Sequence, residues 1–242
     1  MSASTFDMGS TPGQPELGYG VHSVTLTHDY LVAVTEVTHG QFEAAMGYNP
    51  STYTECDGDG SSNCPVENAA WHESVAYANA LSAAAGLTDC YTCTGSGTEV
   101  ECEVAGNPYE CEGYRLLTEA EWEGAARCGT DTWYAGSDVP SVVAWGQWNT
   151  GTPHEVAGLQ PNDCGIYDMS GNVWEWAHDW YADYPSESVT DPTGPETGSE
   201  RVLRGGGVNM GGFESATVSY RSWGAPGSAS RFWGFRVGRS SL

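Results

Sequence analysis

The 242-residue chain contains no lysine, and its eight arginines face 32 acidic residues, for a formal net charge of −24. Six of those arginines lie in the last 42 residues, RVLRGGGVNMGGFESATVSYRSWGAPGSASRFWGFRVGRSSL, where Glu214 is the one acid and neither Cys nor His occurs. Residues 1–200 therefore hold two arginines against 31 acids, and the two parts differ in electrostatic sign. The C-terminal arginines either pair inside the fold with core carboxylates or form a face that attracts anions. Nucleic acid is excluded as a partner by the overall charge. Schiff-base chemistry and a lysine-bearing phosphate loop are excluded by the missing lysine.

Cys56, Cys64, Cys90, Cys93, Cys102, Cys111, Cys128 and Cys164 form an even set in acidic, Gly-rich sequence, which suits four disulfides in an oxidised extracytoplasmic or secreted protein. The run CYTC, VEC, YEC suggests a stapled hairpin, with Cys93–Cys102 inside Cys90–Cys111. A zinc site from the same four is the rival, although their second pair lacks a CxxC spacing. MSASTFDMGS has neither the basic region nor the apolar run of a signal peptide, so a leader would have to precede this chain. Without one, the protein is cytoplasmic and its cysteines reduced. No membrane span is expected.

No Pro/Ser linker or long charged run divides the chain, so residues 1–242 are expected to form one domain. HSVTLTHDYLVAVTEV alternates as two strands with a break at His28 and Asp29. Thr38 and Gln41 fit a capping box for a first helix, and Thr118 and Glu121 fit one for LLTEAEWEGAARC, where Leu117 can staple against Trp122. Between them, Asn68 to Gly86 has the spacing of a helix, with Trp71, Val75, Ala78 and Leu81 on one stripe. After Gly129 only short strand candidates such as RVLRG and GFRVG remain. The fold class is irregular, loop-rich α+β.

Common catalytic motifs are absent: no GxSxG, HExxH, P-loop or GxGxxG stands in a strand-to-helix setting, and no two His lie at i, i+4. DGDG at 57–60 begins like a calcium loop, but Asn68 takes the twelfth position, and Cys56 and Cys64 mark it as a disulfide-closed turn. In CGIYDMSGNVWEWAHDW, Asp168 and Glu175 are seven apart around a Ser-Gly-Asn turn, able to converge with intervening carbonyls on a hard cation. The alternative is that Trp174 and Trp176 are core aromatics and the acids balance arginine.

GYRLLTEAEWEGAAR, IYDMSGNVWEW, RVLRGG and the terminal GFR, in this order and over nearly the whole chain, resemble the formylglycine-generating-enzyme (sulfatase-modifying-factor) family. The resemblance implies a C-type-lectin-like fold. It also implies a structural calcium site from Asp168 and Glu175 through side chains and from Gly171 and Val173 through carbonyls. Members that oxidise a sulfatase cysteine bind copper with two thiolates shortly after RGGSW or RGGSY. Here Gly207 replaces the Ser, Val208 the aromatic, Met210 stands at the first Cys, and no Cys follows Cys164. A thioether cannot replace a thiolate pair, so neither copper nor the oxidation is expected. Nor is the three-His iron motif of the related ergothioneine-pathway oxygenases found.

The expected role is a non-catalytic binding module for a protein or cell-surface polymer. Its ligand would meet residues 201–242 at Val208, Asn209, Met210, Phe213, Glu214, Trp223, Arg231, Phe232 and Trp233, whereas Tyr220 and Phe235 are expected in the core. One branch that fits is the variable proteins of diversity-generating retroelements, in which a fixed frame carries randomised positions. Two rivals remain. One is a metal-dependent oxygenase using His154 or His178 with the GNVWEW acids; the other is a structural domain of a larger secreted chain.

Overall fold

Two of the helices begin where a threonine side chain satisfies one of their first backbone N–H groups. In the computed structural model, which describes residues 1–10, 19–56 and 62–241, α1 (His39–Met46) and α3 (Glu119–Arg127) each carry a complete capping box, from Thr38 with Gln41 and from Thr118 with Glu121. α2 (Trp71–Ala85) starts three residues later than the expected Asn68. Asn68 has φ 62° and donates its side-chain amide to the Pro50 carbonyl, while Glu73 reaches back to the Ala70 N–H at 2.9 Å. A fourth helix, α4 (Pro140–Val143), is a single turn.

The strands are short and fall into small sheets. β1 (Ser4–Met8) pairs with β2 (His22–Leu26), which also carries β8 (Val189–Thr190). The strand break at His28 and Asp29 is real, because β3 (Tyr30–Val32) leaves for a second sheet with β12 (Val237–Ser240) and β6 (Arg115–Leu116). β4 (Tyr91–Thr94) and β5 (Glu101–Val104) form the expected hairpin, with Cys93 directly opposite Cys102. The central sheet has the order β10 (Ser222–Gly224), β9 (Arg201–Arg204), β7 (Trp174–Trp180) and β11 (Trp233–Phe235). GFRVG, expected as one strand, is split at Arg236, which turns its guanidinium inward onto Glu175 while β11 and β12 join different sheets.

Disulfides join Cys56–Cys64, Cys90–Cys111, Cys93–Cys102 and Cys128–Cys164, the set of an oxidising environment. The nested hairpin staple is therefore present and the zinc alternative is not. Cys56–Cys64 closes the turn that contains DGDG, although residues 57–61 themselves lie outside the described ones. Among the described residues no helix is long and apolar enough to cross a membrane.

Two apolar clusters make up most of the core, one around Trp71, Phe42, Trp176 and Phe235, the other around Trp122, Leu117, Val24 and Leu26. Helix α3 is buried on nearly every side, acids included. Glu119 and Glu123 lie one turn apart and share Arg204. Glu119 also grips Arg221 through Nε and Nη2 at 2.6 and 2.7 Å, and Glu123 takes Arg127. Glu121 faces another way, binding Arg115 at 2.6 and 2.8 Å. An unpaired buried charge costs several kcal/mol, so forked guanidinium–carboxylate pairs are what make this placement tolerable.

Of the two readings of the C-terminal arginines, inward pairing is the one the fold adopts. Arg204, Arg221 and Arg236 are buried and paired, and Arg201 is buried between the Trp71 and Trp180 rings at 4.0 and 3.6 Å. Arg231 alone of the six is exposed.

Candidate ligand-binding face

After β9 the chain must reverse within RGGG. Gly206 has φ +78°, and a Cβ there would press on the Ser215 carbonyl, so the return is open only to glycine. The reversal seats Val208 against the core: its N–H donates to the Asn172 carbonyl at 3.0 Å and its side chain is fully buried. Val208, expected on the ligand face, is therefore a core residue, because the preceding glycines fold it under the surface. From Asn209 the chain emerges. Asn209, Phe213, Glu214, Trp223 and Arg231 are exposed, with Phe213 and Trp223 at 47% and 45%. Met210, Phe232 and Trp233 are half-buried and pack on the first core cluster. Phe235 is in the core as expected, and Tyr220 is half-buried against it.

Phe213, Trp223 and the half-buried Phe232 each rest on a partner from earlier in the chain. Phe213 meets Trp148 at 4.8 Å, Trp223 meets Tyr181 at 4.7 Å, and Phe232 meets Tyr53 at 6.1 Å with Arg231 over both rings. Sequence reasoning missed Trp148, Tyr181 and Tyr53, since nothing in their local patterns tells a surface aromatic from a core one. Beneath Arg231, Glu67 accepts from the Tyr53 N–H at 2.6 Å, and burial raises its carboxyl to about 7.

Of the residues expected to hold calcium, Asp168 and Glu175 lie within each other's field. Asp168 is buried and accepts from the Ala157 N–H at 2.7 Å, and burial lifts its carboxyl to about 6. Glu175 is engaged more fully, its Oε2 accepting from Arg236 Nε and Trp122 Nε1 and its Oε1 from Arg236 Nη2. A third carboxylate, Glu36, was not anticipated. It accepts from Val173 N–H and Asn172 Nδ2, and burial, then Asp168 and Glu175, hold its carboxyl well above the usual range.

Three buried carboxylates around the one guanidinium of Arg236 leave negative charge that a hard cation would balance, and oxygen donors are its natural ligands. Among the described residues no three His, Cys, Asp or Glu side chains could hold a metal by themselves. The carbonyls of Gly171 and Val173 would have to complete any cage, with Glu175 giving only the lone pair left on Oε1. In charge and donor type the residues fit.

The histidines of the oxygenase alternative are placed otherwise. His178 is buried, 3.3 Å from the Tyr91 hydroxyl, and burial followed by the charges of Arg201 and Arg115 pushes its imidazole down to about 3. His154 stacks on Trp145 at 3.8 Å. Glu175 bonds to neither.

Residues 2–241 match the family described as sulfatase-modifying factor enzyme 1-like domain. The chain is 31% identical to chaperone protein LppX of Paenibacillus barcinonensis, over 84% of this chain and 76% of that protein. It is 30% identical to the formylglycine-generating enzyme of Thermomonospora curvata over 80% of this chain, and it spans only 63% of that enzyme's length. Treponema denticola variable protein 1 superposes with a TM-score of 0.87 at 33% identity, covering 99% of this chain and 93% of that one.

Proposed function

The chain belongs to the sulfatase-modifying factor enzyme 1-like family, and on that footing we propose that it is a non-catalytic module that binds a protein or cell-surface polymer through the face from Asn209 to Glu214, with Trp223 and Arg231 to Trp233. The observation that carries this reading is the fate of the sulfurs. All eight cysteines are spent in disulfides, and Met210 is packed against the core where a reactive thiol would have to stand. A thioether neither ionises nor cycles with a partner thiol, so the scaffold keeps its frame without the pair that activates oxygen. The likeness to a variable protein supports the reading, and the likeness to a chaperone is compatible with it, because one fold can host unrelated functions.

Calcium would be structural in this protein. Held by Asp168, the carbonyls of Gly171 and Val173, and Glu175, it would offset buried charge and brace the turn that supports the face. The four disulfides favour export from the cytoplasm. The exposed positions set in the intact frame of RVLRGG, Tyr220-Arg221 and GFR are the ones that retroelement diversification would change.

The direct test is oxygen uptake by the pure protein with a cysteine-bearing sulfatase peptide and added copper. No turnover is expected, and peptide-coupled oxygen consumption overturns the proposal. Diversification is tested in the source genome, where a near-copy of the 201–242 coding segment should lie beside a reverse transcriptase gene, differing only at adenines. A complete genome lacking both removes that part.

A further inference from the structure

Beside Phe213 lies an open groove of about 620 Å³ whose walls come from two distant parts of the chain. Trp133, Tyr134 and Trp148 line it from one side, Phe213 from the other, and Asp138 and Glu214 stand among them. The walls are fixed by backbone bonds. Val218 N–H donates to the Trp133 carbonyl at 2.9 Å, and Trp133 N–H in turn donates to Asp138 Oδ1 at 2.9 Å. Trp148 and Phe213 meet at 4.8 Å with their planes tilted by 45°. Both carboxylates are exposed, and neither belongs to any ion pair among the described residues. Tyr134 lies within their field, because after burial Glu214 and then Asp138 do most to raise its hydroxyl.

Aromatic faces carry negative potential, and a cation over them is attracted without losing its apolar contacts. Two carboxylates without an ion-pair partner at the same groove add to that attraction, in a protein whose formal net charge is −24. An anion would be repelled by both elements, and a neutral ring would gain nothing from the carboxylates' charge. We propose that this groove is a subsite of the ligand-binding face that takes a cationic side chain, arginine or lysine, of a protein ligand. The assignment rests on the proposed binding role of the face and adds to it the chemistry of one contact, together with three residues, Trp133, Asp138 and Trp148, that lie outside the C-terminal segment.

The test follows the tryptophan indole N–H resonances of the isotopically labelled full chain during titration at low salt. The probes are N-acetyl-arginine methylamide, N-acetyl-lysine methylamide, the neutral N-acetyl-citrulline methylamide, and methyl mannoside. The two cationic amides should shift the Trp133 and Trp148 signals saturably, with citrulline at least about fivefold weaker and binding reduced in 0.5 M salt, roughly as a screened cation–aromatic contact requires. Phe213→Ala with Glu214→Gln, both at exposed positions, should abolish the shifts, whereas Val34→Ala, exposed and outside the face, should leave them unchanged. Equal binding of citrulline and arginine amides, binding of the sugar alone, or no shift with any probe overturns the subsite. Its failure is separable from that of the wider reading. Oxygen turnover would remove the non-catalytic role while leaving a cation-binding groove in place, and a silent groove beside a ligand sensitive to Trp223→Ala would remove only the groove.

Discussion

Arg221 and Trp223 are two residues apart and belong to different regimes. Arg221 is buried, forked onto Glu119, bonded to the Ala182 carbonyl, and stacked on Tyr184 at 3.8 Å. Trp223 is nearly half exposed on an edge strand and packs on the ring of Tyr181. The frame holds its residues by several charge-assisted bonds at once, so no member can change alone. Trp223 and Phe213, nearly half exposed, are held by ring contacts rather than charge-assisted bonds and can be exchanged at little cost. A scaffold divided in this way can vary its exposed surface without endangering how it folds.

The sharpest way to break the comparison is within the frame. Glu119→Ala strands Arg221 in the interior without a carboxylate and leaves Arg204 paired with Glu123 alone, and urea unfolding should show a loss of about 3–5 kcal/mol. A change below about 1 kcal/mol would mean the network does not hold the frame.

Asp168→Ala should lower the melting temperature in millimolar calcium by the equivalent of roughly 1–3 kcal/mol of bound-ion stabilisation, and far less in chelator. Equal losses in both media would remove the calcium site.

A subtler frame effect depends on pH. Burial, then Glu119, raises the Asp179 carboxyl to about 8. With the folded pKa above the unfolded one, the folded state holds the proton more tightly. The contribution is then fully present below about pH 4 and is lost as pH rises through about 8. Asp179→Asn should flatten this part of the stability profile between those limits, and an unchanged slope in denaturant titrations from pH 4 to 9 would refute the assignment.

The smallest effects on stability belong to the face. Trp223→Ala and Phe213→Ala should each move the unfolding free energy by no more than about 0.5–1 kcal/mol, while removing contact area from the proposed docking surface. Losses as large as that of Glu119→Ala would erase the distinction between the two regions.

Much of the frame was legible in the sequence because its signals are local. Thr38 with Gln41 and Thr118 with Glu121 sit three residues apart, and the nested cysteines of residues 90–111 need only a hairpin to meet. The central sheet was not legible. β7 is buried on both faces, so WEWAHDW shows no alternation to read, and its neighbours β9 and β11 lie 21 and 53 residues further on, counting from its last residue to their first. Val208 looked like a ligand contact from its place among surface residues, and only the left-handed glycines before it put it inside.

By itself the sequence determined which charges had to be matched, where helices could start, and that no thiol follows Cys164. Tertiary structure alone decided that Arg204, Arg221 and Arg236 turn inward, that Glu36 joins Asp168 and Glu175, and that Trp148 comes to stand beside Phe213. Caps and turns are decided within a few residues by hydrogen bonds between near neighbours. The burial of a charge depends on which partner the whole chain brings to it, and that partner can lie a hundred residues away.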